Sequence, residues 1–139
     1  MKSKMDAEQL NSYITYRITN ILDILKAKGE IYTKDNRFEN FNKASDILQQ
    51  EPEQILIEFM TKHLVWLLDY VKNLMPMSTP TEKEEEEIDE KIGDIINYLL
   101  ILNAMLHERA KFGKKQQLHS LTKRIIKINE EDAKQEGWA

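Results

Sequence analysis

The chain contains no cysteine, only four glycines and only three prolines among its 139 residues. Without cysteine it can form no disulfide framework, no thiolate nucleophile and no thiolate zinc site, which fits a reducing compartment. We therefore expect a cytoplasmic protein. Glycine and proline are the main helix breakers, and alternating β-branched residues are also scarce here, so the composition predicts an all-α fold.

Long uncharged runs are missing as well. No window approaches the length that spans a bilayer, and the amino-terminal segment carries charges where a secretory signal has an apolar core. Neither export nor a membrane partner is expected. The net charge of −4 argues against general attraction to nucleic acid. Basic residues nevertheless cluster late in the chain, at Lys111, Lys114, Lys115, Lys123, Arg124 and Lys127.

Apolar residues recur at helical spacing through most of the chain. We predict a single domain over residues 1–139, with a polar tail from about 130, built as a bundle of about four long helices and one short helix. The first helix should span about 6–28 and end at Gly29, and a short helix should follow a polar loop over 29–37. Pro52 should begin the second long helix and Pro76 should end it. A third long helix over about 82–111 should be separated by Gly113 from the last one.

The long helices carry more apolar circumference than one neighbouring helix can cover. Unpaired apolar surface of this extent is typical of an interface between copies. We therefore expect a homodimer.

Polar residues interrupt two of these apolar helices. At about 100° per residue, Glu90, Asp94 and Asn97 fall in one stripe, with Tyr98 at its edge. On the preceding helix, a second stripe contains Glu58, Lys62 and Asp69. Two antiparallel helices could set these stripes opposite each other, and carboxylates with few basic partners favour a hard divalent cation such as Mg²⁺.

A purely structural interpretation of the same residues stays open. Asp69 and Asp94 could be buried carboxylates that are satisfied by hydrogen bonds or by ion pairs with Lys62 and Arg17. His63 has no second histidine three or four positions away, so a zinc site is not expected.

Three short segments give the sequence a familiar pattern. They are Lys28-Gly29-Glu30-Ile31-Tyr32 with Asp35 and Phe38-Glu39-Asn40-Phe41, then Met60-Thr61-Lys62-His63, and then Asp94-Ile95-Ile96-Asn97-Tyr98. Over about residues 10–106 the chain resembles the phage and bacterial nucleotide-modification-associated domain of type one. That family is regarded as a relative of the MazG-like nucleoside triphosphate pyrophosphohydrolases.

The resemblance implies a helical bundle, commonly dimeric, whose acidic helices hold magnesium against the phosphates of a nucleotide. Hydrolysis would then release a nucleoside monophosphate and pyrophosphate. The catalytic carboxylates would be Glu58, Glu90 and Asp94, and the metal ligands Glu90, Asp94 and Asp69. The substrate would meet residues that touch phosphate or base or line the nucleotide site: Lys28, Tyr32, Lys62, Asn97 and Tyr98.

The carboxylate pattern is incomplete. The MazG-like enzymes carry Glu-Glu-x-x-Glu on the first acidic helix, where this chain offers only Glu58, Lys62 and Asp69, and Lys91 stands where the second motif has glutamate. Three functions therefore stay open: a magnesium-dependent nucleotide hydrolase linked to base modification, a non-catalytic binder that sequesters a nucleotide-derived defence signal, and a helical protein-interaction dimer.

Overall fold

The computed structural model describes the backbone of residues 2–32 and 38–137, and the side chains of the same residues except 29–32. Within these ranges the chain forms four helices and no strand, which confirms the all-α bundle: α1 (Ala7–Tyr32), α2 (Glu39–Leu48), α3 (Pro52–Lys72) and α4 (Glu82–Gln135). None of the described helices combines the length and apolarity that crossing a membrane requires. The chain divides into two compact units, Met1–Leu102 and Asn103–Ala139.

Each of the long helices begins with a capping box, a pair of reciprocal hydrogen bonds between side chain and backbone. A side chain just before the helix accepts a hydrogen bond from the backbone N–H three residues later, and the side chain at that later position accepts one from the first residue's N–H. The reciprocal pairs are Asp6 with Gln9, Glu51 with Gln54, and Thr81 with Glu84. At α3, Pro52 also occupies the first turn, where its missing N–H costs nothing.

A helical hairpin supplies the core of the first unit. Gln49 ends α2 in the left-handed conformation, with φ of 54°, and so turns the chain toward α3. The Phe41 ring then packs 5.9 Å from the Phe59 ring, measured between centroids. Ile55 and Leu56, at the start of α3, are fully buried. The first turns of α3 are therefore the best-packed part of this unit.

Side-chain contacts give the relative directions of the other helices in the first unit. His63 lies against Tyr98, and Trp66 lies against Lys91, so α3 and the first part of α4 are antiparallel. Arg17 contacts Asp89 and Lys28 contacts Asp94, so α1 runs parallel to the same part of α4. Residues of α1 and α3 therefore meet α4 at the level of Asp94.

Two predicted helix ends are wrong. Gly29 lies inside α1, which continues to Tyr32, and Gly113 lies inside α4, which is unbroken from Glu82 to Gln135. Glycine in a helix interior costs about 1 kcal/mol relative to alanine, but it keeps its N–H donor and does not clash, so neighbouring helix formers can carry the helix through it. The described ranges consequently hold three long helices and one short one, because the last two predicted helices are one.

Replacing Gly113 with alanine should stabilise α4 locally. The added Cβ meets no heavy atom within 4 Å, and the gain should be about 0.5–1 kcal/mol. We expect amide hydrogen exchange around residue 113 to slow about two- to fivefold. Gly137→Ala is the control, because Gly137 has φ of +78° and should lose stability with a side chain. Unchanged exchange in Gly113→Ala would contradict a continuous helix.

Candidate functional site

Asp94 joins three helices through one carboxylate. Its Oδ1 accepts a hydrogen bond from Lys28 Nζ on α1 at 3.1 Å, and its Oδ2 lies 3.7 Å from His63 Nδ1 on α3. The side chain is 18% exposed. A half-buried carboxylate loses part of its hydration, and the ammonium of Lys28, itself 48% exposed, compensates for part of that loss.

The structural interpretation of the sequence gave Asp94 a different partner. It named Lys62 and Arg17 as the cations available to Asp69 and Asp94, but Arg17 Nη2 donates to the Asp89 backbone carbonyl at 3.2 Å and lies 3.7 Å from the Asp89 carboxylate. Lys28, eleven positions further along α1, makes the contact with Asp94 instead, at 3.1 Å from Oδ1. An ion pair of Asp94 with a basic residue was therefore predicted correctly, but its partner is Lys28.

His63 is the functional candidate that spacing alone did not single out. Among the described residues its buried Nδ1 has no hydrogen-bond partner, because 3.7 Å to Asp94 Oδ2 is too long for one. Its ring centre lies 5.7 Å from that of Tyr98. The only sequence signal for His63 was its place in the segment Met60-Thr61-Lys62-His63.

Tyr98 lies in the same cluster. Burial raises the pKa of its phenol above 10, the nearby Asp94 carboxylate raises it further, and the Lys28 ammonium lowers it in part. Tyr98 is therefore a neutral hydrogen-bond donor over the whole physiological pH range.

A cavity of about 590 Å³ opens on one side of Asp94, between α1 and the first part of α4. It brings together four of the residues predicted from the sequence: Lys28, Glu90, Asp94 and Asn97. The residues that sequence reasoning did not assign to a site are Arg17, Asn20, Ile21, Asp23, Ile24, Glu86, Asp89 and Gly93. The cavity is rich in carboxylates, and a cation stands toward each end of its α1 side.

Helical spacing explains how α4 lines this cavity. Glu86, Glu90 and Asp94 are four residues apart and form one row, while Asp89, Gly93 and Asn97 form the adjacent row. Gly93 brings the backbone close to α1, since a Cβ placed there would lie 3.9 Å from Cγ1 of Ile21.

Asn97 is the most buried polar residue of this surface. It is 9% exposed, and its Oδ1 has no hydrogen-bond partner among the described residues. A buried acceptor without a donor is costly, and native structures rarely leave one unless a ligand or water completes it. The Asn97 amide is therefore a polar group in the wall of the cavity whose oxygen lacks a partner among the described residues.

The other predicted residues lie elsewhere. Asp69 lines a second cavity, also of about 590 Å³, with Trp66, Tyr70 and Glu84. It is six residues from His63 on α3, about 9 Å along the axis from the level of Asp94. Glu58 and Lys62 are exposed and line neither cavity. The Tyr32 side chain lies outside the described residues.

Lys91 faces α3 and not the first cavity. Its Nζ lies 5.9 Å from the centre of the Trp66 ring, a cation–π contact. The Trp66 ring also stacks on Tyr70, with centroids 5.4 Å apart and planes 7° from parallel. Lys91 therefore takes part in packing α3 against α4.

The described residues contain no group of three histidine, aspartate or glutamate side chains placed to hold a metal.

Comparison with known proteins adds no assignment. No protein-family model, no curated protein and no solved structure matches the chain. The residues of the site are thus the basis for any functional conclusion.

The raised pKa of Tyr98 gives a prediction about alkaline stability. Its folded pKa exceeds the unfolded value of about 10, so its contribution is complete below pH 10 and is lost as the pH rises through the folded pKa. The wild-type protein should therefore lose free energy of unfolding above pH 10, and Tyr98→Phe should lose less.

Chemical denaturation at several alkaline pH values measures this difference. Tyr16→Phe is the matched control, because it removes a phenol that is 62% exposed. It should follow the wild-type pH dependence. If Tyr98→Phe also followed it, the burial of the Tyr98 hydroxyl would be contradicted.

Proposed function

We propose that the chain handles a nucleotide, and that the cavity between α1 and α4 binds a magnesium–nucleoside phosphate complex. The observation that carries the proposal is a cavity that presents carboxylates and cations and is lined in part by Asn97, a buried amide whose oxygen has no hydrogen-bond partner among the described residues. A volume of about 590 Å³ lies within the range of small-molecule sites.

Each part of such a ligand finds suitable chemistry in the cavity. A polar group of the base would meet the Asn97 amide, which lines the cavity. The cations Arg17 and Lys28 are suited to phosphate oxygens. The carboxylates of Glu90 and Asp94 are hard oxygen ligands of the kind that magnesium prefers.

The residues fit magnesium only as part of a complex with the ligand. A dedicated protein site would need more converging carboxylates than the described residues provide. Magnesium commonly uses one or two carboxylates and takes its remaining oxygens from phosphate and water. Glu90 and Asp94 would supply those carboxylates. The metal would also neutralise the negative charge of the phosphate, which the carboxylates of Glu86 and Asp89 would otherwise repel.

Hydrolysis of the nucleotide is the second candidate, and the contact between His63 and Asp94 favours it. An imidazole beside a carboxylate can accept a proton from an attacking water, but His63 does not line this cavity and its Nδ1 is buried. Asp94 also already forms an ion pair with Lys28. This pairing argues against hydrolysis and favours a protein that binds the nucleotide and leaves it unchanged. A sequestering protein would need only the binding step.

A thermal-shift panel tests binding and hydrolysis separately. Nucleoside mono-, di- and triphosphates and cyclic nucleotides should be compared with and without magnesium. A ligand at 100 times its Kd adds roughly 2.7 kcal/mol, which should raise the Tm by several degrees. Chromatography of each incubated ligand then shows a shortened phosphate for an enzyme and an intact ligand for a binder.

Three variants locate the site. Glu90→Gln should weaken binding at least about tenfold, because Glu90 lines the cavity and forms no ion pair with any of the described residues. Asp69→Asn is the matched control in the second cavity and should bind normally. Asp94→Asn should both weaken binding and lower the Tm of the free protein. No shift with any ligand, or loss of binding in Asp69→Asn alone, would contradict the proposed site.

We further propose that the chain is a homodimer. On α1 and α3 large apolar side chains stand in solvent, including Ile18 at 52%, Val65 at 50% and Leu68 at 59% exposed. Exposed apolar side chains in such number are typical of surfaces that bind another protein. Sedimentation equilibrium should give twice the 16.4 kDa chain mass, and a single-chain mass at every accessible concentration would contradict the homodimer.

A further inference from the structure

The carboxyl-terminal part of α4 carries an unpartnered apolar stripe. Residues 111–132, which we name the arm, lie in the second unit. Leu118, Leu121, Ile125 and Ile128 are spaced by three, four and three residues and therefore share one face. They are 67%, 54%, 58% and 55% exposed.

This spacing is typical of the apolar seam of a two-stranded coiled coil. Alternating steps of three and four residues keep a narrow apolar line on one side of the helix, which is covered when one facing helix packs against it. An isolated helix in water is marginal, since most helical stability in proteins comes from packing an apolar face. The arm presents such a face with no side chain of the described residues covering it.

The charges at the two ends of the arm differ in sign. Before the stripe stand three cations, Lys111, Lys114 and Lys115. After it stand three anions, Glu130, Glu131 and Asp132. Of these, Glu131 has a neighbour on its own helix, Lys127 Nζ at 4.0 Å, in a pair that is mostly solvent-exposed and therefore weak.

We propose that the arm pairs with the arm of a second copy of this chain, in antiparallel orientation. The midpoint of the stripe falls at residue 123, so Leu118 would pack against the partner's Ile128 and Leu121 against the partner's Ile125. Each basic end then lies beside the acidic end of the other copy, with Lys114 at the level of the partner's Asp132.

Charge disfavours two other arrangements of this surface, a parallel pair and a complex with nucleic acid. A parallel pair in register would place the three cations beside the same cations and the three anions beside the same anions, which is repulsive. The cations near the midpoint, Lys123 and Arg124, stand at about the same axial level as their counterparts in either orientation, so the charges at the two ends distinguish the orientations. A nucleic acid would meet the basic end but would be repelled by the acidic one.

Single cysteine variants test the pairing directly in the full-length protein, because the natural sequence has no cysteine to interfere. Leu118→Cys and Ile128→Cys proteins, distinguished by a tag on one of them, are mixed and oxidised gently. In the antiparallel pair the two new thiols face each other, whereas identical positions are ten residues apart, about 15 Å. We expect a mixed disulfide as the main product.

Two other results would overturn the proposal. Disulfides that form mainly between two Leu118→Cys chains would indicate a parallel pair. No disulfide above the level of the control would show that the arms do not meet. The control is Lys123→Cys, which lies about 140° around the helix from Leu118 and off the apolar stripe.

Charge swaps give an independent readout. The double variant Glu131→Lys with Asp132→Lys makes both ends basic, and Lys114→Glu with Lys115→Glu makes both ends acidic. Each should self-associate about tenfold more weakly than wild type, and an equimolar mixture of the two should recover. Both double variants should still bind nucleotide, so failure of the arm pairing and failure of the nucleotide proposal are distinguishable.

Discussion

The carboxylate of Asp94 is the contact on which the arrangement of the first unit depends. It touches Lys28 on α1 and lies near His63 on α3 while belonging to α4, so three helices are held at one level. Long apolar side chains alone would allow these helices to slide along one another, since hydrophobic contact has no direction. A charged contact at 3.1 Å fixes the axial position, even where solvent screening leaves it little net stability.

The cavity follows from that arrangement. With Lys28 held against Asp94, α1 runs parallel to α4 and faces the two rows that begin at Glu86 and Asp89. At Gly93 the two helices are near each other, since a Cβ there would lie 3.9 Å from Cγ1 of Ile21, an ordinary van der Waals distance. An acidic wall, two cations and a buried amide are thus brought around one space, a combination suited to a ligand that carries both a metal and negative charge.

Much of this was accessible from the sequence, and the failures have physical causes. Helical periodicity placed Glu90, Asp94 and Asn97 on one face, because azimuth depends only on residue number. Periodicity does not say which residues of the neighbouring helix lie beside Asp94. The prediction therefore groups Asp69 and Glu58 with Asp94, although Asp69 lines a different cavity. Gly113 predicts a helix end because glycine has a low helix propensity. In the structure α4 continues through it, because the helix-forming residues on both sides outweigh one glycine.

The sequence by itself determined the all-α class, the starts of the long helices and the amphipathic faces, because capping residues and apolar spacing act within a few positions of the chain. Only the tertiary structure decided that Lys28 and not Arg17 pairs with Asp94, that Lys91 lies over Trp66, and that the Oδ1 of Asn97 is buried without a donor among the described residues. These contacts join residues about 25 to 70 positions apart or depend on such packing, and side-chain periodicity within one helix carries no information about them.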